Sequence, residues 1–281
     1  MILVGDSGST KTDWRLISAK GELTQLSCKG LNPHFHSIES IKSELASIFS
    51  KPDADKIEQV FFYGSGCSGE ANKKLIFDAL NAVFKNSDNH PDHDLLGAAR
   101  ASCGREAGLA GIIGTGSNCC FFDGDIVQKE FRSGGFILGD EGGGVDLGRS
   151  LLKAYVEQYL PEHLNVKFEK RFKTSYDEIL EALYKKPFPN RFIARFSQFV
   201  FQNREDLFIQ DIIVKSFSRY IENQVLKYDE AKSHRLNLVG SIAFYYHDIF
   251  KAVANKYGIV VGTILEKPIS GLALYHSPLN K

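Results

Sequence analysis

The stretch Gly5 to Trp14, GDSGSTKTDW, sets an acid, two nearby glycines and a row of hydroxyls ending in Lys11, Thr12 and Asp13 directly behind a short apolar run. A strand that ends in glycine and hydroxyl residues presents backbone N–H groups with no Cβ in the way, and such nests hold phosphate oxygens. The chain has three turns of this form: Gly8-Ser9-Thr10-Lys11-Thr12, Gly114-Thr115-Gly116-Ser117-Asn118, and Gly240-Ser241 after LNLV. None carries the GxxxxGK[ST] spacing or a dinucleotide fingerprint, and each alone could be an ordinary hairpin turn. Together they suit transfer of a γ-phosphoryl group, in which N–H donors, hydroxyls, a lysine such as Lys11 and a metal ion neutralise the developing charge. A carboxylate such as Asp6 would repel two phosphates unless Mg²⁺ lay between them. The alternatives are an Asx-turn role for Asp6 and an exposed turn position for Lys11.

In HPDHDLLGAARAS, Asp94 stands immediately before a short apolar helix, where an N-cap belongs; Asp92 is followed by no helical pattern. His34, His36, His90 and His93 have HxH and HxxH spacings, but no cysteine or carboxylate pattern completes a metal site, and loop histidines are the expectation. Five cysteines without CxxC spacing read as buried thiols in a reducing compartment. Lys plus Arg equals Asp plus Glu, 34 of each, so no net field recruits nucleic acid or an anionic membrane. The start of the chain lacks a basic leader and no apolar run approaches bilayer length, which predicts a cytoplasmic protein.

These residues need scaffolding. The first third predicts three strands in an antiparallel meander (MILVGDSG, TDWRLIS, ELTQLSCKG), a helix around 37–50, a strand over 60–66, a helix around 70–84 and a short helix from Asp94. After Gly104 the pattern restarts: strand, glycine turn at Gly114 to Gly116, strand through Phe122, hairpin at Asp123-Gly124, and a strand ending at Gly134, which we read as a structural duplication. An amphipathic helix over 145–159 follows, with Leu151, Leu152, Tyr155, Val156 and Tyr159 on one face. Residues 162–232 read as almost wholly helical, with the KFEKRFK run from Lys167 as a solvated face. LNLVGS is a last strand before a helix through Tyr257.

The ordered set GDSGSTKTDW, GIIGTGSN and LVGSIA resembles the phosphate-1, phosphate-2 and adenosine motifs of the actin, Hsp70 and sugar-kinase superfamily. GTGSN followed by GGFILGDEGGG is similar to the BadF/BadG/BcrA/BcrD ATPase group that contains N-acetylglucosamine kinase. The resemblance runs from Gly5 to about Gly271 and implies an α/β fold of two ribonuclease H-like (actin-like ATPase) lobes around a central nucleotide cleft, with a helical insertion in the second. It divides the chain into a sugar-side lobe over 1–107 and a lobe over 108–281 carrying the phosphate-2 and adenosine motifs, with the last helix packing back on the first lobe. It implies ATP and Mg²⁺ as cofactors: Asp6 beside the metal, through water, and Gly8, Ser9, Thr10, Lys11, Thr12, Gly114, Thr115, Gly116, Gly240 and Ser241 on the nucleotide.

By the same resemblance Asp94 is the base for the acceptor hydroxyl, and Asn32, Ser65, Gly66, Asn118, Gly135 and Asp140 contact the sugar, with Glu141 a weaker candidate. The implied activity is phosphorylation of the 6-hydroxyl of N-acetylglucosamine or a related amino sugar such as N-acetylmuramic acid, possible as a homodimer, with no nucleic acid or membrane partner. A second reading is the ATPase activator of a dehydratase or reductase with an iron–sulfur cluster shared by two subunits, for which Cys67 and Cys103 have no supporting spacing. A third is a catalytically silent sensor of sugar or ATP. Phe136 stands where the mammalian enzyme has tryptophan, Cys67 replaces a glycine, and the zinc-binding cysteine cluster of the ROK sugar kinases is missing.

Overall fold

The computed structural model describes residues 1–8 and 10–280. The chain forms two compact units: 1–107 with 122–127 and 267–281, and 108–121 with 128–266.

The first unit holds a sheet of β1 (Ile2–Ser7), β2 (Lys11–Ile17), β3 (Leu23–Lys29), β4 (Gln59–Gly64) and β5 (Asp88–His93) in the order β3-β2-β1-β4-β5. β1, β2 and β3 pair antiparallel as the meander predicts, whereas β1, β4 and β5 pair parallel. Helices α1 (Ile38–Ile48), α2 (Lys51–Ala54), α3 (Glu70–Val83) and α4 (Asp94–Cys103) connect them. Ser37 caps α1 by accepting the Ser40 N–H, as a serine before an apolar-periodic run should. The core gathers Trp14, Phe49, Phe62 and Phe84, all buried. β1 carries Gly5 where it passes the Trp14 ring, because a Cβ there would lie 2.4 Å from a ring carbon.

The second sheet is β6 (Gly108–Ile113), β7 (Ser117–Phe122), β8 (Val127–Glu130), β9 (Leu236–Val239) and β10 (Val261–Leu265), ordered β8-β7-β6-β9-β10. Its first three strands again sit side by side and its last two join the opposite edge of the first, with β6, β9 and β10 parallel. The duplication read from the two glycine turns is therefore a duplication of topology. Around this sheet lie α5 (Gly135–Leu138), α6 (Gly144–Val156), α7 (Glu162–Phe172), α8 (Tyr176–Tyr184), α9 (Pro189–Ala194), α10 (Ser197–Gln202), α11 (Leu207–Tyr220), α12 (Ser241–Tyr245) and α13 (His247–Lys256). Ser175 and Glu178 form a capping box on α8, Asp206 caps α11, and α11 runs on into a π-helical turn, Ile221–Val225. α14 (Ile269–Tyr275) packs on α4, β1 and β2 of the first unit.

Several expectations are corrected. HPDH is the end of β5 and not a loop; β5 is the edge strand beside β4, and an edge strand tolerates Pro91 and polar residues that hide it in the sequence. β8 stops at Glu130 instead of Gly134, and α6 ends at Val156, leaving Tyr159 exposed. α7 is not a wholly solvated face, because Phe168 within KFEKRFK is fully buried.

Trp14 is the single tryptophan, so its emission reports on the first unit. Gly5→Ala is expected to lower stability by about 1–3 kcal/mol through overpacking against that ring. Urea unfolding followed by tryptophan fluorescence checks this, and an unchanged midpoint would refute the close packing.

Candidate active site

In the first unit, β1 delivers Asp6 to its C-terminal end, where β2 sets Asp13 directly opposite in register. Desolvation by burial, then the like charges of Asp94 and Asp13, push the Asp6 carboxyl up to about 7, with Lys267 opposing. Asp94 is thus close enough to act on Asp6 electrostatically. Burial also pushes Asp13 up, but hydrogen bonds from Lys11 and Lys267 outweigh it and hold the carboxyl below the usual range. The result is one carboxylate with two cations and a second left crowded by acids.

Asp94 opens α4 as its first helical residue. The cap expected of Asp94 is made by His93, whose Nδ1 accepts the Leu96 N–H at 3.3 Å. Asp92 is engaged otherwise, in an ion pair with Lys73 at 2.8 Å and as acceptor from the His93 N–H.

Asn32, Ser65 and Gly66 come together at the end of β4. Asn32 donates to Ser65 Oγ at 3.3 Å and accepts from the His34 N–H at 2.9 Å, while Asn72 donates to the Gly66 carbonyl at 2.8 Å. Gly66 has φ 85°, and a Cβ there would stand 2.7 Å from Asn32 Oδ1, so both backbone conformation and space require glycine. Cys67 packs beneath this corner, where burial and then Asp94 and Asp92 push its thiol up to about 12, the opposite of what thiolate ligation needs. His34, expected as a loop histidine, sits 3.3 Å from Asn72, a residue that nothing in the sequence spacing marks.

In the first glycine turn, Gly8 N–H donates to the Lys11 carbonyl at 3.0 Å, and Gly8 and Thr10 are exposed. Thr12 differs from its expected role: fully buried, its hydroxyl donates to the Lys29 carbonyl at 3.0 Å and meets Ser7 Oγ at 2.8 Å, which locks the turn from beneath and leaves no hydroxyl for a ligand. The expectation for Ser9 lies outside the described residues.

In the second unit, the β6–β7 turn is closed by Gly114 N–H donating to the Gly116 carbonyl at 2.9 Å, and the start of α6 is sewn to it by Gly144 N–H to Gly114 O and Val145 N–H to Thr115 O. Thr115 is exposed, and no atom lies within 4 Å of where a Cβ on Gly114 would project, so the turn keeps an open face. Gly240, at φ 127°, seats so closely that a Cβ would fall 2.3 Å from the Ile113 carbonyl oxygen; Ser241 beside it is exposed as the first residue of α12. The second and third glycine turns are thus in contact.

Asp140, in the left-handed region at φ 59°, accepts the Ser117 N–H at 3.0 Å and lies against Gly116; burial pushes its carboxyl up. Asn118 accepts the Cys119 N–H with its side-chain Oδ1 and donates through Nδ2 to Glu130 at 3.5 Å. Gly135 is exposed with φ 60° at the start of α5. Glu141 is met by Asn223 and Gln224. Two features escaped the sequence reading. Asp146, 3 % exposed, accepts from the Gly142 N–H, Ser216, Arg149 and Arg219 and so anchors the glycine-rich loop. A hollow of about 520 Å³ beside Ser241 is lined by Phe201, Tyr245, Arg195 and Gln198.

The metal expectation can be weighed on the donor set. Among the described residues no group of three or more His, Cys, Asp or Glu is placed to hold an ion. A single crowded carboxylate such as Asp6 fits Mg²⁺, which keeps several waters and is held by one or two carboxylates plus phosphate oxygens. Among the described residues no helix is long and apolar enough to cross a membrane.

Two sheets with one strand order, each ending its first strand in a glycine turn, are the two-lobed actin-like ATPase fold of the sugar kinases, and the chain is a phosphotransferase of that class. A solved structure of the "Putative N-acetylglucosamine Kinase" from Porphyromonas gingivalis is 37% identical, covers 98% of both chains and superposes with a TM-score of 0.92. The chain belongs to the family of that protein. The "Putative N-acetylglucosamine Kinase" from Chromobacterium violaceum (16% identity, 98% of both chains, TM-score 0.74) and a ROK family glucokinase from Streptomyces griseus in complex with glucose and AMPPNP (12% identity, 98% of this chain and 97% of that one, TM-score 0.59) share the fold. No protein-family model and no curated protein matches the chain.

An acid whose folded pKa lies above its unfolded value binds its proton more tightly when folded. Its stabilising effect is full below about pH 4 and is lost as pH rises to about 7. Without metal, wild type is therefore expected to lose on the order of 1–3 kcal/mol across that window that Asp6→Asn does not lose. Asp94→Asn, by removing a like charge, should move the transition to lower pH. Unfolding free energies at stepped pH test both; parallel profiles for wild type and Asp6→Asn would show that Asp6 is not crowded.

Proposed function

We propose that this chain is an ATP-dependent hexosamine kinase of the BadF/BadG/BcrA/BcrD group that transfers the γ-phosphoryl of ATP to the 6-hydroxyl of N-acetylglucosamine or a related amino sugar such as N-acetylmuramic acid. The observation that supports the reading is the electrostatic influence of Asp94 on the buried Asp6 within one unit, with Asn32, Ser65 and Gly66 gathered at the end of a neighbouring strand. A phosphotransferase needs an acceptor base and a metal-side carboxylate close together, and like-charged acids raise each other's proton affinity. The 37% identity to the Porphyromonas gingivalis protein, whose name gives N-acetylglucosamine as acceptor, supports the substrate class.

Each residue then has a task. Asn32 and the strand-end groups at Ser65 and Gly66 orient the sugar through planar polar contacts. Asp94 accepts the proton of the 6-hydroxyl as its oxygen forms a bond to the γ-phosphorus; the bond from that phosphorus to the β–γ bridging oxygen breaks and ADP leaves. In the first unit the exposed Thr10 hydroxyl and Lys11 ammonium suit phosphate oxygens, and in the second the exposed hydroxyls of Thr115 and Ser241 do; Gly8, Gly114, Gly116 and Gly240 shape the turns that present them, with the N–H groups of Gly8, Gly114 and Gly240 bonded within the chain. The hollow beside Ser241, with Phe201 and Tyr245, suits an adenine ring. Mg²⁺ on Asp6 would supply charge neutralisation at the phosphates. Asp140 supports the phosphate turn by accepting the Ser117 N–H.

Purified protein with ATP, Mg²⁺ and a panel of amino sugars should release ADP only when an accepted sugar is present, with the product identified by mass spectrometry. Equal release without sugar, or none with any, removes the kinase reading. Asp94→Asn should lower turnover roughly 10²- to 10⁴-fold while leaving ATP affinity nearly unchanged.

A further inference from the structure

In the second unit α6 and α11 pack against each other. Helical spacing sets Arg149 and Lys153 one turn apart on α6, and Lys215 and Arg219 one turn apart on α11. All four line a single hollow of about 600 Å³, with Tyr159 and Phe208 also in its wall. Three carboxylates share the lining, Glu141, Asp146 and Asp211, yet they do not cancel the cations evenly. Asp146 is 3 % exposed and saturated by the Gly142 N–H, Ser216 and both arginines. Glu141 is held by Asn223 and Gln224. Asp211 forms an exposed i,i+4 pair with Lys215, a weak interaction in water.

The cations retain binding capacity. Arg219 bonds Asp146 through Nη2, which leaves the rest of its fork for another acceptor. The nearest carboxylate of Lys153 is Glu157 at 3.9 Å, and Lys153 is 62 % exposed. Arg149 is fixed by the Phe136 and Gly139 carbonyls at 3.2 and 3.4 Å, so both guanidiniums are immobilised before any ligand arrives. Two planar forks and two ammonium groups around one space match an oxyanion with more than one charge, whereas a lone carboxylate would use a single fork.

We propose that this hollow binds a phosphate dianion, either free inorganic phosphate or the phosphate group of a monoester, at a place separate from the glycine turns. Because Arg149 also carries the Phe136 and Gly139 carbonyls, an occupant would bear on the loop that leads to Asp140.

Calorimetric titration of the full-length protein, with Mg²⁺ and a saturating non-hydrolysable ATP analogue so that the glycine turns are filled, tests this with inorganic phosphate in one arm and glucose 6-phosphate in the other. Saturable binding is expected, weakened at least tenfold in the double variant Lys153→Glu/Lys215→Glu and unchanged in the control Lys251→Glu. Tighter binding of phosphate assigns the free anion, and tighter binding of glucose 6-phosphate assigns a sugar ester. No binding to wild type, or equal affinity in the double variant, overturns the site. The exposed lysines allow the variant to fold, which circular dichroism checks, and if the nucleotide analogue fails to bind, the phosphate arm decides alone.

Discussion

Backbone meeting backbone at the end of β6 is the constraint from which the second unit's site follows. Gly240 lies against the Ile113 carbonyl with no room for a side chain, and Gly116 lies against the Asp140 carboxylate in the same way. Close approach of this kind packs one face of the Gly114 to Gly116 turn tightly, while its other face stays open at Gly114 and Thr115. The hydrogen bonds from Gly144 and Val145 then tie the start of α6 to the turn, so the helix and the nest move as one body. Asp146, one residue further into α6, extends that rigidity to Gly142 and α11.

The first unit solves a different problem. Asp6, Asp13 and Asp94 concentrate negative charge where β1 ends and β2 begins, and Lys11 and Lys267 relieve chiefly Asp13. Charge of one sign held in place by β-sheet register cannot relax by moving apart, so it persists as raised proton affinity at Asp6. The buried hydroxyl chain of Ser7, Thr12 and the Lys29 carbonyl, which also accepts the Leu31 N–H on Ser7, fixes the geometry without adding charge.

Much of this was legible in the residues themselves. Alternation and turn chemistry marked β1 to β4 and β6 to β9, because apolar runs closed by Gly, Ser or Asn have few other structures open to them. β5 was hidden because an edge strand need not look apolar, and β10 because Val261–Leu265 has glycine and threonine within a short, half-buried run. At the site, the glycine turns announced themselves through composition. Thr12 misled because a hydroxyl in such a turn has two directions to face and only packing decides. Asp146, Asn72 and the Phe201–Tyr245 hollow were invisible because each also draws on residues far along the chain, Ser216 and Arg219 for Asp146 and His34 for Asn72, which no local spacing records.

The π-helical turn Ile221–Val225 ends α11 with a wider coil than the one it follows. Tyr220, the last α-helical residue, reaches the Asn118 carbonyl, while Asn223 and Gln224 on the widened coil reach Glu141 and Ser117. An extra residue in one loop of a spiral resets the phase of everything beyond it. One helix can thus aim its regular length at the buried Asp146 and its swollen end at strand β7, two targets that a uniform pitch would not align together.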